Sequence, residues 1–590
     1  MSSIHRILAF SSVLICLVFA ASSTGADAKK SFQAFLDEEW QYAMQEHPEW
    51  ATSVGHAGKN DRWTDISLPA FARRYSHKKE ALEKLHQIER GGLDKKDQLN
   101  YDLYLRDLKL DFEGERFKDR YLRISQMGGI QKSIENNLKR SPAGNIKDYE
   151  ERLARLKKVP EQIDNTIILL KEGLQTGATY PRITLRNVPD QIKAMTKVTD
   201  NPIMKAFESL PASIPIEKQK AIQDEANKTL VDMVIPAFER LYKFFVDVYI
   251  PGARDTIAWS ALPDGREWYA YLAKSYTTTE MSPEEIHNLG LSEVKRIRGQ
   301  IEKLMGEIGF KGDFQDFLKF MISDPQFFFK SPEELVTACR DIAKQADYSL
   351  PKLFSKLPRL PYGVLPVPAY LEKSQPAAYF QTGNMRNGVA GTFYINTYDL
   401  PSRPSWGLIP LVLHEAVPGH HLQLALASEQ EGIPNFRRYG GYTVYIEGWA
   451  LYAESLGYDM GLYNDRYSRF GQLNLAMWRA IRLVVDTGIH YYSWSREQAI
   501  DYFRENMAMS GHDIEVEVDR YIVMPGQALT YKIGEIRIRE FRDYCQGQMK
   551  DKFDIRAFHD FILEQGALPM DVLEGLVKDW VAAKMVKNHN

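Results

Sequence analysis

Three histidines and a glutamate fall within eight consecutive residues, His414-Glu415-Ala416-Val417-Pro418-Gly419-His420-His421, directly after the apolar run Leu411-Val412-Leu413. That many ionisable groups in an apolar helix are costly to bury unless something satisfies them. A metal ion would do so, and histidine with carboxylate donors makes zinc the first expectation, one ion per chain. Iron, cobalt and nickel accept the same donors. No cysteine pair has ligand spacing, since only Cys339 and Cys545 lie beyond the N-terminal run that holds Cys16.

The spacing departs from the H-E-x-x-H arrangement, in which two histidines four apart share one helical face and the glutamate is the general base. Position i+4 is Pro418. In a regular helix, His414 and His420 differ by about 240° and about 9 Å of rise, and His414 and His421 by about 10.5 Å, so neither pair reaches one ion. Pro418 cannot donate to the carbonyl of His414 and clashes with it, while Gly419 tolerates unusual dihedrals. The helix is therefore expected to kink or bulge here, as helices do at functional sites. That distortion would bring His420 back beside His414, with His421 the alternative.

A third ligand would leave the fourth zinc position for water. About thirty residues on, Tyr445-Ile446-Glu447-Gly448-Trp449-Ala450-Leu451-Tyr452-Ala453-Glu454 places Glu447 and Glu454 on one helical face among aromatic and aliphatic neighbours. Gly432, Pro434, Gly440 and Gly441 can turn the chain back between the two segments. One glutamate can ligate and the other orient a histidine.

The elements that must position these groups read as helical. Ser282-Pro283-Glu284-Glu285 and Ser331-Pro332-Glu333-Glu334 carry Ser at N-cap, Pro at N1 and Glu at N3. Stretches 147–174, 217–250, 282–308 and 466–492 have helical period. Between 360 and 398, turn residues alternate with β-rich runs, and Thr392-Phe393-Tyr394-Ile395-Asn396 reads as a strand. The expected class is mainly α, a large helical fold with a small β-sheet or hairpin. The divisions are a leader at 1–28, a helical lobe at 29–255, a linking region with the β element at 256–400, and a helical catalytic lobe at 401–590.

Arg6, the largely apolar run from Ile7 to Ala21 and Ala26-Asp27-Ala28 have the form of a secretory signal peptide. The run is short for a membrane span. Ile15 before Cys16 is not the small residue a lipid-attachment site uses, so a soluble periplasmic or secreted form is expected, without stable membrane insertion. There Cys339 and Cys545 can pair. With 75 basic and 78 acidic residues the charge is near balance, which argues against a nucleic-acid partner.

At H-E-A-V-P-G-H-H-L-Q (414–423), E-G-W-A-L-Y-A-E (447–454), R-L-V-V-D-T-G-I-H (482–490) and M-P-G-Q-A-L-T-Y-K-I-G-E (524–535) the chain resembles the bacterial family known as domain of unknown function 885, placed among gluzincin-like metallopeptidases. The resemblance implies that the helical fold is peptidase-like, with a long substrate channel, the β element beside the substrate cleft, and a peptide substrate. Glu-Gly-Trp-Ala is also similar to the Asn-Glu-Gly-Phe-Ala segment of zinc aminopeptidases, which favours Glu447 as third ligand. The family pattern favours His420 over His421.

The expected chemistry is peptide hydrolysis by metal-activated water, with Glu415 as general base. Tyr531, then Tyr521, are the candidate oxyanion donors, near Arg520 and Lys532 around the Pro525-Gly526 turn. Asp486 and His490, four apart on an apolar helix, are expected as a buried pair or support for the ligands. Strand 392–396 can offer its edge to an extended peptide, with Tyr379, Arg386 and Asn396 beside it. Two rivals are a secreted peptide-binding protein with a non-catalytic metal site and a zinc hydrolase of non-peptide amides.

Overall fold

The computed structural model describes residues 4–369, 372, 376–385 and 388–586, with side chains from Gly25 onward. Most of the expected leader lies outside the residues whose side chains are described, and Arg386 lies outside the described residues altogether. The chain divides into two compact units, Met1–Thr256 and Ile257–Asn590.

The first unit is helical. The periodic stretch from 217 forms Ile216–Thr229, a π segment at Leu230–Val234, Ile235–Phe244 and a second π segment at Phe245–Tyr249. Each π segment runs into a proline, Pro236 or Pro251, whose missing N–H interrupts the α ladder. The resulting stripe, Leu230, Val234, Phe238, Leu241, Phe245 and Tyr249, is fully buried. Beside this core the guanidinium of Arg155 donates to the carbonyls of Pro48, Lys59 and Arg62 and to the hydroxyls of Thr52 and Ser141. A buried cation is tolerable only when its donors are used in this way.

In the second unit eight helices position the candidate site: α1 (Pro283–Ile308), α2 (Pro332–Ser349), α3 (Leu408–Glu415), α4 (His420–Glu429), α5 (Thr443–Met460), α6 (Arg466–His490), α7 (Gly511–Val523) and α8 (Thr530–Met549). α1 opens with the expected capping box, Ser282 Oγ accepting from the Glu285 amide and the Glu285 carboxylate from the Ser282 amide. α1 lies along α6, and α5 along α8. The second crossing is set by glycines: a Cβ on Gly534 would stand 2.0 Å from the carbonyl oxygen of Val444 and 2.7 Å from the Cα of Gly448.

The β element is a three-stranded sheet of β1 (Tyr362–Pro366), β2 (Ala378–Gln381) and β3 (Gly391–Ile395), in the order β1-β3-β2. β3 runs parallel to β1, with Tyr362 opposite Gly391, and antiparallel to β2, with Ala378 opposite Ile395. Its side chains alternate, Phe393 and Ile395 entering a core with Val364, Leu335, Leu408 and Val412. This corrects the expected peptide-docking edge. β3 is the central strand, so its backbone groups are used by both neighbours. Asn396 is also internal, its amide donating to the carbonyls of Glu372 and Pro376. Tyr379 on β2 stacks on Tyr394, ring centroids 5.0 Å apart.

Cys339 and Cys545 are both buried free thiols, so the disulfide that the sequence left open is not formed. Burial pushes each thiol up to about 12, which keeps it protonated. Among the described residues, no helix is long and apolar enough to cross a membrane.

The glycine crossing predicts opposite effects within one helix. Gly534→Ala overpacks the α5–α8 contact and is expected to destabilise by about 1–3 kcal/mol. Gly547→Ala, where a Cβ meets nothing within 4 Å, is expected to stabilise by about 0.5–1 kcal/mol. Thermal or denaturant unfolding of the two variants checks this, and equal effects would contradict it.

Candidate metal centre

α3 ends at Glu415 and α4 begins at His420, with a turn containing a cis Val417–Pro418 peptide between them. A Cβ on Gly419 would lie 2.0 Å from the carbonyl oxygen of His414 and 2.4 Å from that of Leu413, so only glycine lets the chain pass this close. The amide of His421 reaches back to the carbonyl of Ala416 at 3.0 Å. From α5, the indole N–H of Trp449 donates to the carbonyl of Pro418 at 2.9 Å. The two histidines thus stand at the end of one helix and the start of the next, released from the geometry of a single helix.

Their rings meet edge to face, centroids 4.7 Å apart. Glu447 Oε2 lies 3.5 Å from His414 Nε2 and 3.6 Å from His420 Nε2. One donor atom from each of the three residues falls within 4.8 Å of the others. Donors around a tetrahedral zinc at 2.0–2.1 Å stand roughly 3.3 Å apart, so little movement is needed to close on an ion. Glu447 Oε2 is buried without a hydrogen-bond partner. A carboxylate oxygen without a hydrogen-bond partner, facing two imidazole nitrogens, is a donor set that would fit a divalent cation.

Behind the ligands, Glu454 Oε1 is 2.9 Å from His414 Nδ1 and 3.2 Å from Arg479 Nη2. The Glu454 carboxylate takes the Nδ1 proton of His414, leaving Nε2 to face Glu447. Burial works against charge on Glu447, yet the nearby imidazoles of His414 and His420 hold its carboxyl well below the usual range. Burial also works against charge on His414, but the carboxylates of Glu447, in ion-pair range, and Glu454, hydrogen-bonded to Nδ1, lift the ring to about 9. Without a metal the cluster therefore holds a proton that an incoming cation must displace.

Glu415 is buried on the last turn of α3, and its charge acts on the adjacent His414. His421 is not in the cluster. It packs against Tyr362 at 4.6 Å and Phe380 at 5.5 Å, and burial lowers its pKa to about 4.

The other expected residues fall in separate places. The Tyr521 hydroxyl donates to Glu517 at 2.5 Å and accepts from Arg482 and Trp478 at 2.9 and 3.2 Å, so its proton is committed. The Tyr531 hydroxyl accepts from Arg520 at 3.4 Å. Asp486 and His490 support backbone rather than the ligands. Asp486 accepts from the Gly526 amide and the Tyr269 hydroxyl, which pins the Pro525-Gly526 turn. His490 Nε2 donates to the Tyr521 carbonyl, and Nδ1 accepts from the Trp259 amide. Lys532 corrects the expected substrate contact, because its ammonium is buried between Glu293 and Glu535 at 2.9 and 2.7 Å. Arg479, Trp478 and Glu517 were not anticipated. Helical period marks the first two as part of an amphipathic helix, and only the packing of α6 against α5 and α7 reveals their partners.

The family model described as bacterial protein of unknown function, DUF885, matches residues 48–577. A predicted lipoprotein from Colwellia psychrerythraea, whose crystal structure is known, superposes with a TM-score of 0.88 at 25% identity, over 94% of this chain and 100% of its own. A second predicted lipoprotein, of unknown function, from Shewanella oneidensis superposes at 0.70 with 18% identity, over 93% of this chain and 99% of its own, a likeness of fold alone. No curated protein matches the chain.

Two outcomes follow from this geometry. His420→Ala is expected to lose bound divalent metal and His421→Ala to retain it, while Glu454→Gln weakens affinity on the order of 10–100-fold. Metal analysis after dialysis reads all three, and loss of metal in His421→Ala would refute the assignment. Separately, burial raises Asp486 to about 7. Between about pH 4 and 7 the folded state then holds a proton that the unfolded carboxyl, with a pKa of about 3.9, has released. Asp486 therefore contributes stability at low pH that is lost as pH rises through 7. Melts at pH 5 and 8 are expected to show a smaller pH effect in Asp486→Asn than in wild type.

Proposed function

The chain belongs to the DUF885 family of bacterial proteins of unknown function, and we propose that it is a zinc-dependent peptidase of the gluzincin type that works outside the cytoplasm. The observation that carries this reading is the orphaned Glu447 oxygen facing the Nε2 atoms of His414 and His420. Two histidines and one glutamate are the donor set of peptidases such as thermolysin and carboxypeptidase A, with the fourth position left for water. An exported location is supported by the leader-like N-terminus and by the description of the Colwellia structure as a lipoprotein.

Zinc, when bound by His414, His420 and Glu447, supplies an acidified water and a polarised scissile carbonyl. Glu415, adjacent to the first ligand, accepts the proton of the attacking water and returns it to the leaving amine. Glu454 holds His414 in the tautomer that presents Nε2, and Arg479, 3.2 Å from Glu454 Oε1, holds that carboxylate in place. Tyr531 donates to the developing oxyanion, because its O–H proton has no acceptor among the described residues whereas that of Tyr521 is held by Glu517.

Glu415→Gln is the direct test. Zinc content is expected to stay at one per chain while turnover of a peptide mixture, followed by mass spectrometry, drops by about 10²–10⁴-fold. Unchanged turnover would remove Glu415 as base. Turnover that survives complete removal of zinc would overturn the reading.

A further inference from the structure

We infer that Arg482 and Arg520 form a receiving site for the C-terminal carboxylate of a peptide, making the enzyme a carboxypeptidase; this rests on the peptidase reading above. Arg482, on α6, is only 2% exposed. Its Nε donates to the Tyr521 hydroxyl at 2.9 Å and its Nη2 to Glu517 at 3.0 Å. Its guanidinium carbon lies 4.2 Å from the Tyr531 ring centre and 4.6 Å from that of Trp478. Nη1 is buried with no partner. Arg520, on α7, reaches Glu517 at 3.4 Å, Gln527 at 3.0 Å and the Tyr531 hydroxyl at 3.4 Å.

Glu517 is thus shared by two guanidinium groups, and it also takes the proton of Tyr521. The other carboxylate acting on Arg482 is Asp486, already occupied by Gly526 and Tyr269 and carried up to about 7 by burial. Two guanidinium groups therefore share the one carboxylate of Glu517, and the N–H groups of Arg482 Nη1 are unused where leaving a donor unmet is costly. The planar guanidinium fork matches a carboxylate. Trp478, Glu517, Arg520 and Gln527 are half-buried, which leaves the cluster a solvent-reached side. The cluster is linked to His414 through Arg479 and Glu454. Arg479, three residues before Arg482 on α6, lies 4.6 Å over the same Trp478 ring and bonds Glu454, the partner of His414.

The test uses full-length, zinc-loaded protein carrying Glu415→Gln, so that ligands survive a calorimetric titration. The probes are an N-acetylated tripeptide with a free carboxylate, its C-terminal amide, and an amidated analogue ending in Glu. The free carboxylate is expected to bind at least roughly tenfold tighter than the amide, as loss of charged hydrogen bonds implies. Adding Arg520→Gln, at a half-buried position, is expected to abolish that preference; Arg482→Lys provides a second variant, with melting curves confirming the fold of both. Equal binding of acid and amide, a preference that survives Arg520→Gln, or full recovery by the Glu side chain would overturn the assignment. Turnover by the wild-type protein is read separately. A carboxylate preference without turnover removes the peptidase reading and keeps the site; equal cleavage of acid and amide removes the carboxypeptidase and keeps the peptidase.

Discussion

The indole N–H of Trp449 donates to the carbonyl of Pro418, and through that bond one helix holds the turn that lets two histidines of the neighbouring segment converge. The rest of the site depends on this turn. With a continuous helix through 414–420, His414 and His420 would point to different sides and Glu447 would meet at most one of them. Trp449 lies two residues beyond Glu447 on the same helix, so the group that braces the turn and the group that completes the donor set arrive together. The same helix is seated against α8 by the contact of Gly448 with Gly534, a backbone approach that any side chain would prevent.

Burial sets the electrostatics. His414, Glu454, Arg479, Arg482 and Asp486 are all nearly inaccessible, so their charges are weakly screened and must be balanced locally. Balance is reached by alternation: imidazole to carboxylate to guanidinium through His414, Glu454 and Arg479, and guanidinium to carboxylate to hydroxyl through Arg482, Glu517 and Tyr521. The alternation is incomplete: Glu447 Oε2, Glu454 Oε2, Arg479 Nε and Arg482 Nη1 are buried without a hydrogen-bond partner. Of these, Glu447 Oε2 faces the imidazoles of His414 and His420.

The sheet plays a structural part. Its central strand lies under α2 and α3 and contributes Phe393 and Ile395 to the core from which α3 emerges toward His414. Phe380 and Tyr362 hold His421 against the sheet. Two adjacent histidines thereby take different fates, one turned to the donor cluster and one to an apolar wall.

Local rules reached far into this protein. The helix starts at Ser282 and Ser331, the helical stretches and the β-rich segment before Asn396 were legible because capping, period and turn chemistry act over a few residues. The incompatibility of Pro418-Gly419 with a straight helix, and the candidate ligands His414, His420 and Glu447, were legible for the same reason. What local pattern could not decide was which neighbour each polar group would find. β3 proved central, because strand order depends on pairing between segments that are distant in the chain. Lys532 proved to be an internal counter-ion, because Glu293 reaches it from α1, far away in sequence. Arg479 and Arg482 look like ordinary members of an amphipathic helix until α6 is packed against α5 and α7. Residue type and short-range spacing determined which atoms could bind a metal; the tertiary structure alone decided which of them were left without a partner, since that is a property of every chain segment that meets there.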